Sequence, residues 1–102
     1  MNAFELFCDF VAAQKQATEL ENIARKLRSI AESYLPRTYS RLNGNWDGTA
    51  SEAFYKSQNQ LIERIRAQAD ALQNDADTIR RIAKRTYDTE MKALEISKTR
   101  SY

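Results

Sequence analysis

The chain has 102 residues, of which 42% are apolar and 29% charged, and its formal net charge is +2. That length bounds it to one domain, and the near-neutral balance argues against a generic nucleic-acid binder. With no histidine and one cysteine it has no multi-cysteine metal site, no intramolecular disulfide and no histidine to serve as a general base.

The first element opens almost at the start. Asn2 followed by Glu5 reads as a capping box, and the apolar positions Leu6, Phe10, Ala13, Ala17, Leu20, Ala24, Leu27, Ala31 and Tyr34 then recur in alternating steps of four and three. That spacing is the seam of a helix paired with another helix. Four of the nine are alanine, which permits close approach of a facing helix. Phe4, Phe7, Cys8 and Val11 add a second apolar surface beside the seam, read as a contact for another helix pair. Packing against the C-terminal part of the same hairpin is the alternative. Cys8 is expected to act as a small apolar packing residue, with an intermolecular disulfide as the other possibility. Pro36 forfeits a helical hydrogen bond and clashes with the preceding turn, so a kink or break is expected near residues 34–36 and a last turn through Leu42.

Asn43-Gly44-Asn45-Trp46-Asp47-Gly48 holds both glycines and the only tryptophan. Glycine, Asn and Asp tolerate the backbone conformations in which one helix stops and another starts, so residues 43–48 are read as a bend with Trp46 as a packing plug. Beyond Gly48 there is neither Gly nor Pro to interrupt a second helix. Thr49 with Glu52 forms another capping-box pattern. The second seam runs Phe54, Gln58, Ile62, Ile65, Ala69, Leu72, Ala76, Ile79, Ala83 and Thr86, with Leu61 and Ile82 on its shoulder.

The expected fold class is therefore all-α: an elongated antiparallel helical hairpin that dimerises into a four-helix bundle. Helix one spans about 3–42 with a kink near 36, the bend 43–48, helix two about 49–96, and 97–102 form a frayed tail. About 40 residues at a rise of 1.5 Å make each arm roughly 60 Å long. Two helices sharing one seam leave an open face, and dimerisation is the usual way to cover it. Charge agrees with this topology. Residues 1–24 set Lys15 against Glu5, Asp9, Glu19 and Glu21, whereas residues 80–102 set seven basic residues against Asp88, Glu90 and Glu95. An antiparallel pairing lays the acidic helix start beside the basic helix end, each complementing the local macrodipole.

The stretch Trp46-Asp47-Gly48-Thr49-Ala50-Ser51-Glu52-Ala53-Phe54 resembles the signature of the WXG family (ESAT-6-like) of small type VII, or ESX-like, secretion substrates. In that family Trp-x-Gly sits in the bend of a helical hairpin and small residues follow on the second helix. The resemblance implies a non-enzymatic protein acting through helical-bundle contacts, with Trp46 and Gly48 as the bend motif. Partners implied are a second copy, a related hairpin protein or the N-terminal helical domain of an effector, together with the type VII membrane ATPase. Many members carry a Tyr-x-x-x-Asp/Glu export element. Here Tyr87 is followed four residues later by Met91, and Glu90 stands at i+3, so Tyr87 and Glu90 are the imperfect equivalent. That departure leaves open a role as targeting partner for a larger effector instead of autonomous export.

Residues 1–11 lack the basic n-region of a Sec signal, and no uncharged stretch is long enough to cross a bilayer. Secretion by a non-Sec route, from a cytoplasmic pool, is the expectation, with Phe4, Phe7 and Val11 as the partner interface. No catalytic residue, cofactor or metal is expected: the chain has no nucleophile motif and no phosphate-cradling loop, and Asp70, Asp75 and Asp77 are dispersed around a helix. Two other readings compete. An intracellular coiled-coil adaptor has the same hairpin, and Arg80, Arg81, Lys84 and Arg85 could meet phosphates as a basic face, although acids interrupt it and no aromatic platform accompanies it.

Overall fold

The computed structural model describes residues 2–43 and 48–99, with the side chains of Asn43, Thr49 and Ala50 left aside. All the described elements are helical: α1 (Ala3–Ser29), a π-helical turn (Ile30–Tyr34), α2 (Leu35–Asn43) and α3 (Gly48–Thr99). The chain divides into two compact units, residues 1–21 with 74–102, and residues 22–73. In each, numbering rises along one helix as it falls along its neighbour. Phe10 meets Tyr87 and Glu21 meets Arg80 in the first unit; Arg28 meets Asp70 and Tyr39 meets Phe54 in the second. The pairing is antiparallel, and the fold class is all-α as the seams require.

Asn2 caps α1: its side-chain Oδ1 accepts from the Glu5 amide at 2.8 Å, and its carbonyl accepts from the Leu6 amide at 3.1 Å. One otherwise orphaned amide is thereby satisfied. α3 starts at Gly48 and continues through Thr99, past the expected end at residue 96. The capping role expected of Thr49 lies outside the described side chains.

Pro36 disturbs the helix one turn earlier than its own position. Leu35 donates its amide to the Ile30 carbonyl, five residues back, which is the hydrogen bond of a π turn. A proline at 36 has no amide for the Glu32 carbonyl and presses its ring toward it, and widening the turn by one residue relieves both problems. The inserted residue also shifts the register. Tyr34, expected in the seam, is 64% exposed, while Leu35, Thr38 and Tyr39 are half-buried in its place.

Upstream of that turn the seam is as expected, with Leu6, Ala17, Ala24 and Ala31 buried and Phe10, Ala13, Leu20 and Leu27 half-buried. In α3, Gln58, Ile62, Ala69 and Ala76 are buried, and Ile79 and Ala83 half-buried. Among the described residues five alanines have no exposed surface at all: Ala17, Ala24, Ala31, Ala69 and Ala76. Between only two helices there is room at the centre line for a methyl group, and larger side chains splay to the flanks where water reaches them. Thr86 departs from expectation: it is exposed, and the half-buried line passes instead through Tyr87, Met91 and Leu94. A helix of 3.6 residues per turn drifts against a repeat of 3.5, and over the length of α3 the drift hands the seam to the next residue. Cys8 is exposed, because the neighbouring helix does not cover that face of α1.

Gln58 is the polar exception in the buried line. Its Oε1 has no hydrogen-bond partner among the described residues. An unsatisfied buried amide oxygen costs about 1–3 kcal/mol, so Gln58→Leu is expected to raise stability by about 1–2 kcal/mol, read as a higher urea midpoint with an unchanged slope.

Candidate protein-contact surfaces

In the first unit the two helical stretches are joined along one edge by Arg80. Its Nε donates to Gln14 Oε1 at 3.2 Å and its Nη2 to Thr18 Oγ1 at 3.2 Å, and the same nitrogen forms an ion pair with Glu21. Three acceptors one helical turn apart fit the planar guanidinium fork, which a lysine could not reproduce. The hydrogen bond to Glu21 raises the guanidinium pKa above its ordinary value, against an opposing effect of desolvation. A raised base stabilises at every pH below its unfolded value, so this joint adds no titration of Arg80 in the neutral range. Arg80 is therefore not part of an exposed basic face. Lys84 is also engaged, with Asp88 at 3.2 Å, and the face proposed for phosphate is broken up. In the second unit Arg28 pairs with Asp70 at 2.9 Å, so that carboxylate, too, has a specific partner.

The flank of α1 away from the paired helix carries Phe4, 73% exposed, and Phe7, 52% exposed, with Val11 half-buried behind them. The helix repeat puts these three on one stripe. The Tyr87 ring lies against Phe10, with centroids 5.1 Å apart and planes tilted by 39°, while Glu90 is exposed. Tyr87 is thus a packing residue as well as a candidate signal. Both side chains line a groove of about 530 Å³ with Asp9, Phe10, Ala13 and Ile82. Sequence periodicity gave no sign of this groove, because it forms where small seam residues meet the drift of α3.

Trp46 lies outside the described residues. Gly48 is the first residue of α3 and has no positive φ; a Cβ built on it meets nothing within 4 Å among the described residues. Gly48→Ala is accordingly expected to fold normally and to gain up to about 0.5 kcal/mol from the lower entropy of the unfolded chain, visible as a slightly raised thermal midpoint. A loss of helicity in that variant would show that the backbone here needs glycine.

Among the described residues no three His, Cys, Asp or Glu side chains are placed to hold a metal ion, and no helix is long and apolar enough to cross a membrane. The described residues thus form antiparallel helix pairs that leave an apolar stripe of α1 uncovered. A family model, that of proteins of 100 residues with WXG, matches residues 35–91, more than half of the chain. The chain belongs to this WXG100 family of ESAT-6-like type VII secretion substrates. No curated protein and no solved structure matches it. Members of the family are small, secreted and non-enzymatic, and they form homo- or heterodimers that engage the type VII machinery.

Proposed function

We propose that this protein is a type VII substrate, or the targeting partner of a larger secreted effector, that leaves a cytoplasmic pool as a pair of helical hairpins and does no chemistry of its own. The observation that carries this reading is the stripe of exposed Phe4 and Phe7 with half-buried Val11 on a chain with the family's sequence pattern. Large apolar side chains side by side on a solvated helix favour a partner that removes them from water. The partner is a second copy, a related hairpin or an effector's N-terminal helical domain, and the paired bundle is what the membrane ATPase receives. Trp46 and Gly48 form the bend motif, and Tyr87 with Glu90 the export element.

Export is tested by comparing culture supernatants of strains with and without the membrane ATPase. The expected result is loss of the protein from the supernatant, with accumulation inside, when the ATPase is absent, and a several-fold drop in export for Trp46→Ala in the intact strain. Equal retention in both strains would favour the intracellular adaptor. Glu90→Ala is the cleaner probe of the signal, since Glu90 is exposed whereas Tyr87 also supports Phe10.

A further inference from the structure

The groove of the first unit lies on the edge of the seam opposite Arg80. At 100° per residue, Gln14 and Thr18 fall on one side of the Phe10–Ala17 line and Asp9 and Ala13 on the other. Arg80 closes the first side. On the second, Ala13 ends at a methyl group and leaves a trough walled by Phe10, Tyr87 and Ile82, the last 55% exposed. Two carboxylates stand on this trough, Asp9 on α1 and Glu90 on α3, and no cation lines it. Neither acid has an ion-pair partner among the described residues.

We infer that this groove is a docking site for a basic amphipathic helix of another protein, which lays an apolar anchor over Ala13 and Ile82 and sets a Lys or Arg between Asp9 and Glu90. An apolar trough between two helices accepts a third helix through anchors at i, i+3 and i+4, and a pair of unpaired acids on opposite walls selects for positive charge beside those anchors. The Phe4–Phe7–Val11 stripe of a second copy is a poor occupant. It lies in the opening turns of α1, whose charged side chains are Glu5 and Asp9, so it would bring further carboxylates to the two already there.

Tyr87 and Glu90 are shared with the proposed export element, but binding is read without export, and the test needs only the purified full-length protein. A fluorescein-labelled synthetic helix of leucine and lysine, and its leucine and glutamate counterpart, are titrated at physiological ionic strength and read by polarisation. The lysine helix is expected to bind saturably and the glutamate helix not. Ile82→Glu should abolish binding, and Asp9→Asn with Glu90→Gln should weaken it about tenfold, a change of roughly 1.4 kcal/mol. Leu61→Glu, an exposed apolar position in the other unit, should leave it unchanged, and circular dichroism checks that each variant is folded. Equal binding of both peptides, full binding by Ile82→Glu, or the same loss with Leu61→Glu overturns the assignment. So does a wild-type protein that takes no peptide while Ile82→Glu converts a sedimenting dimer to monomer, for then a second copy fills the groove.

Discussion

Ala69→Asp is expected to abolish the stable helix pairing of the second unit. Ala69 has no exposed surface, so a carboxylate placed there loses its water. An uncompensated buried charge costs at least about 3 kcal/mol, and a domain of this size has only about 5–10 kcal/mol in total. The side chain is also too large for a gap that admits a methyl, so the two helices must separate to hydrate it. Ala67→Asp, two residues away on an exposed position, is the matched control and should change the unfolding midpoint little. Far-ultraviolet circular dichroism in a urea series separates them. Similar midpoints for the two variants would mean that the seam does not run through Ala69.

That contrast between neighbouring alanines was visible in the residues alone. Steps of three and four on a 3.6-residue helix select one face, and of the seven alanines placed on that face by spacing five have no exposed surface, while Ala13 and Ala83 are half-buried. Pro36 likewise marked where the first helix is disturbed. What spacing could not give was the form of the disturbance. A π turn and a kink differ by one residue of register, and only the hydrogen bond from Leu35 to Ile30 decides between them; Tyr34 was misplaced for that reason. Thr86 was misplaced because a fixed repeat hides the drift that builds up along α3. Surface placement was legible where spacing on one helix decides it, as in the exposure of Phe4 and Phe7. They were illegible where they depend on reach across helices. Arg80 looked like part of a basic surface face, yet its long side chain folds back to Gln14, Thr18 and Glu21, and that reach closes one edge of the seam and leaves the other as a groove. The resemblance drew attention to Tyr87 as a signal, and its use as a wall for Phe10 emerges only from the antiparallel pairing.

Phe10→Ala is expected to cost about 2–3 kcal/mol and to loosen the first unit selectively. Phenylalanine truncation in a closed core costs about 3–5 kcal/mol; Phe10 is half-buried, which places it at or below the lower end. Part of the loss is the ring pair itself, since aromatic pairs contribute about 0.5–1.5 kcal/mol beyond their buried area. A double-mutant cycle with Tyr87→Ala should therefore give a coupling of about 1 kcal/mol, whereas pairing Phe10→Ala with Phe54→Ala, whose ring meets Tyr39 in the other unit, should be additive. Amide exchange locates the effect: protection should fall in α1 before Glu21 and in α3 beyond Asn74 while the second unit keeps its own. The same cycle separates packing from signalling at Tyr87. Tyr87→Phe keeps the ring against Phe10 and removes only the hydroxyl, so an export defect in that variant belongs to recognition, and a defect confined to Tyr87→Ala and shared by Phe10→Ala belongs to the fold. Additivity between Phe10 and Tyr87 would remove the ground for that distinction, because the two rings would then not be energetically joined.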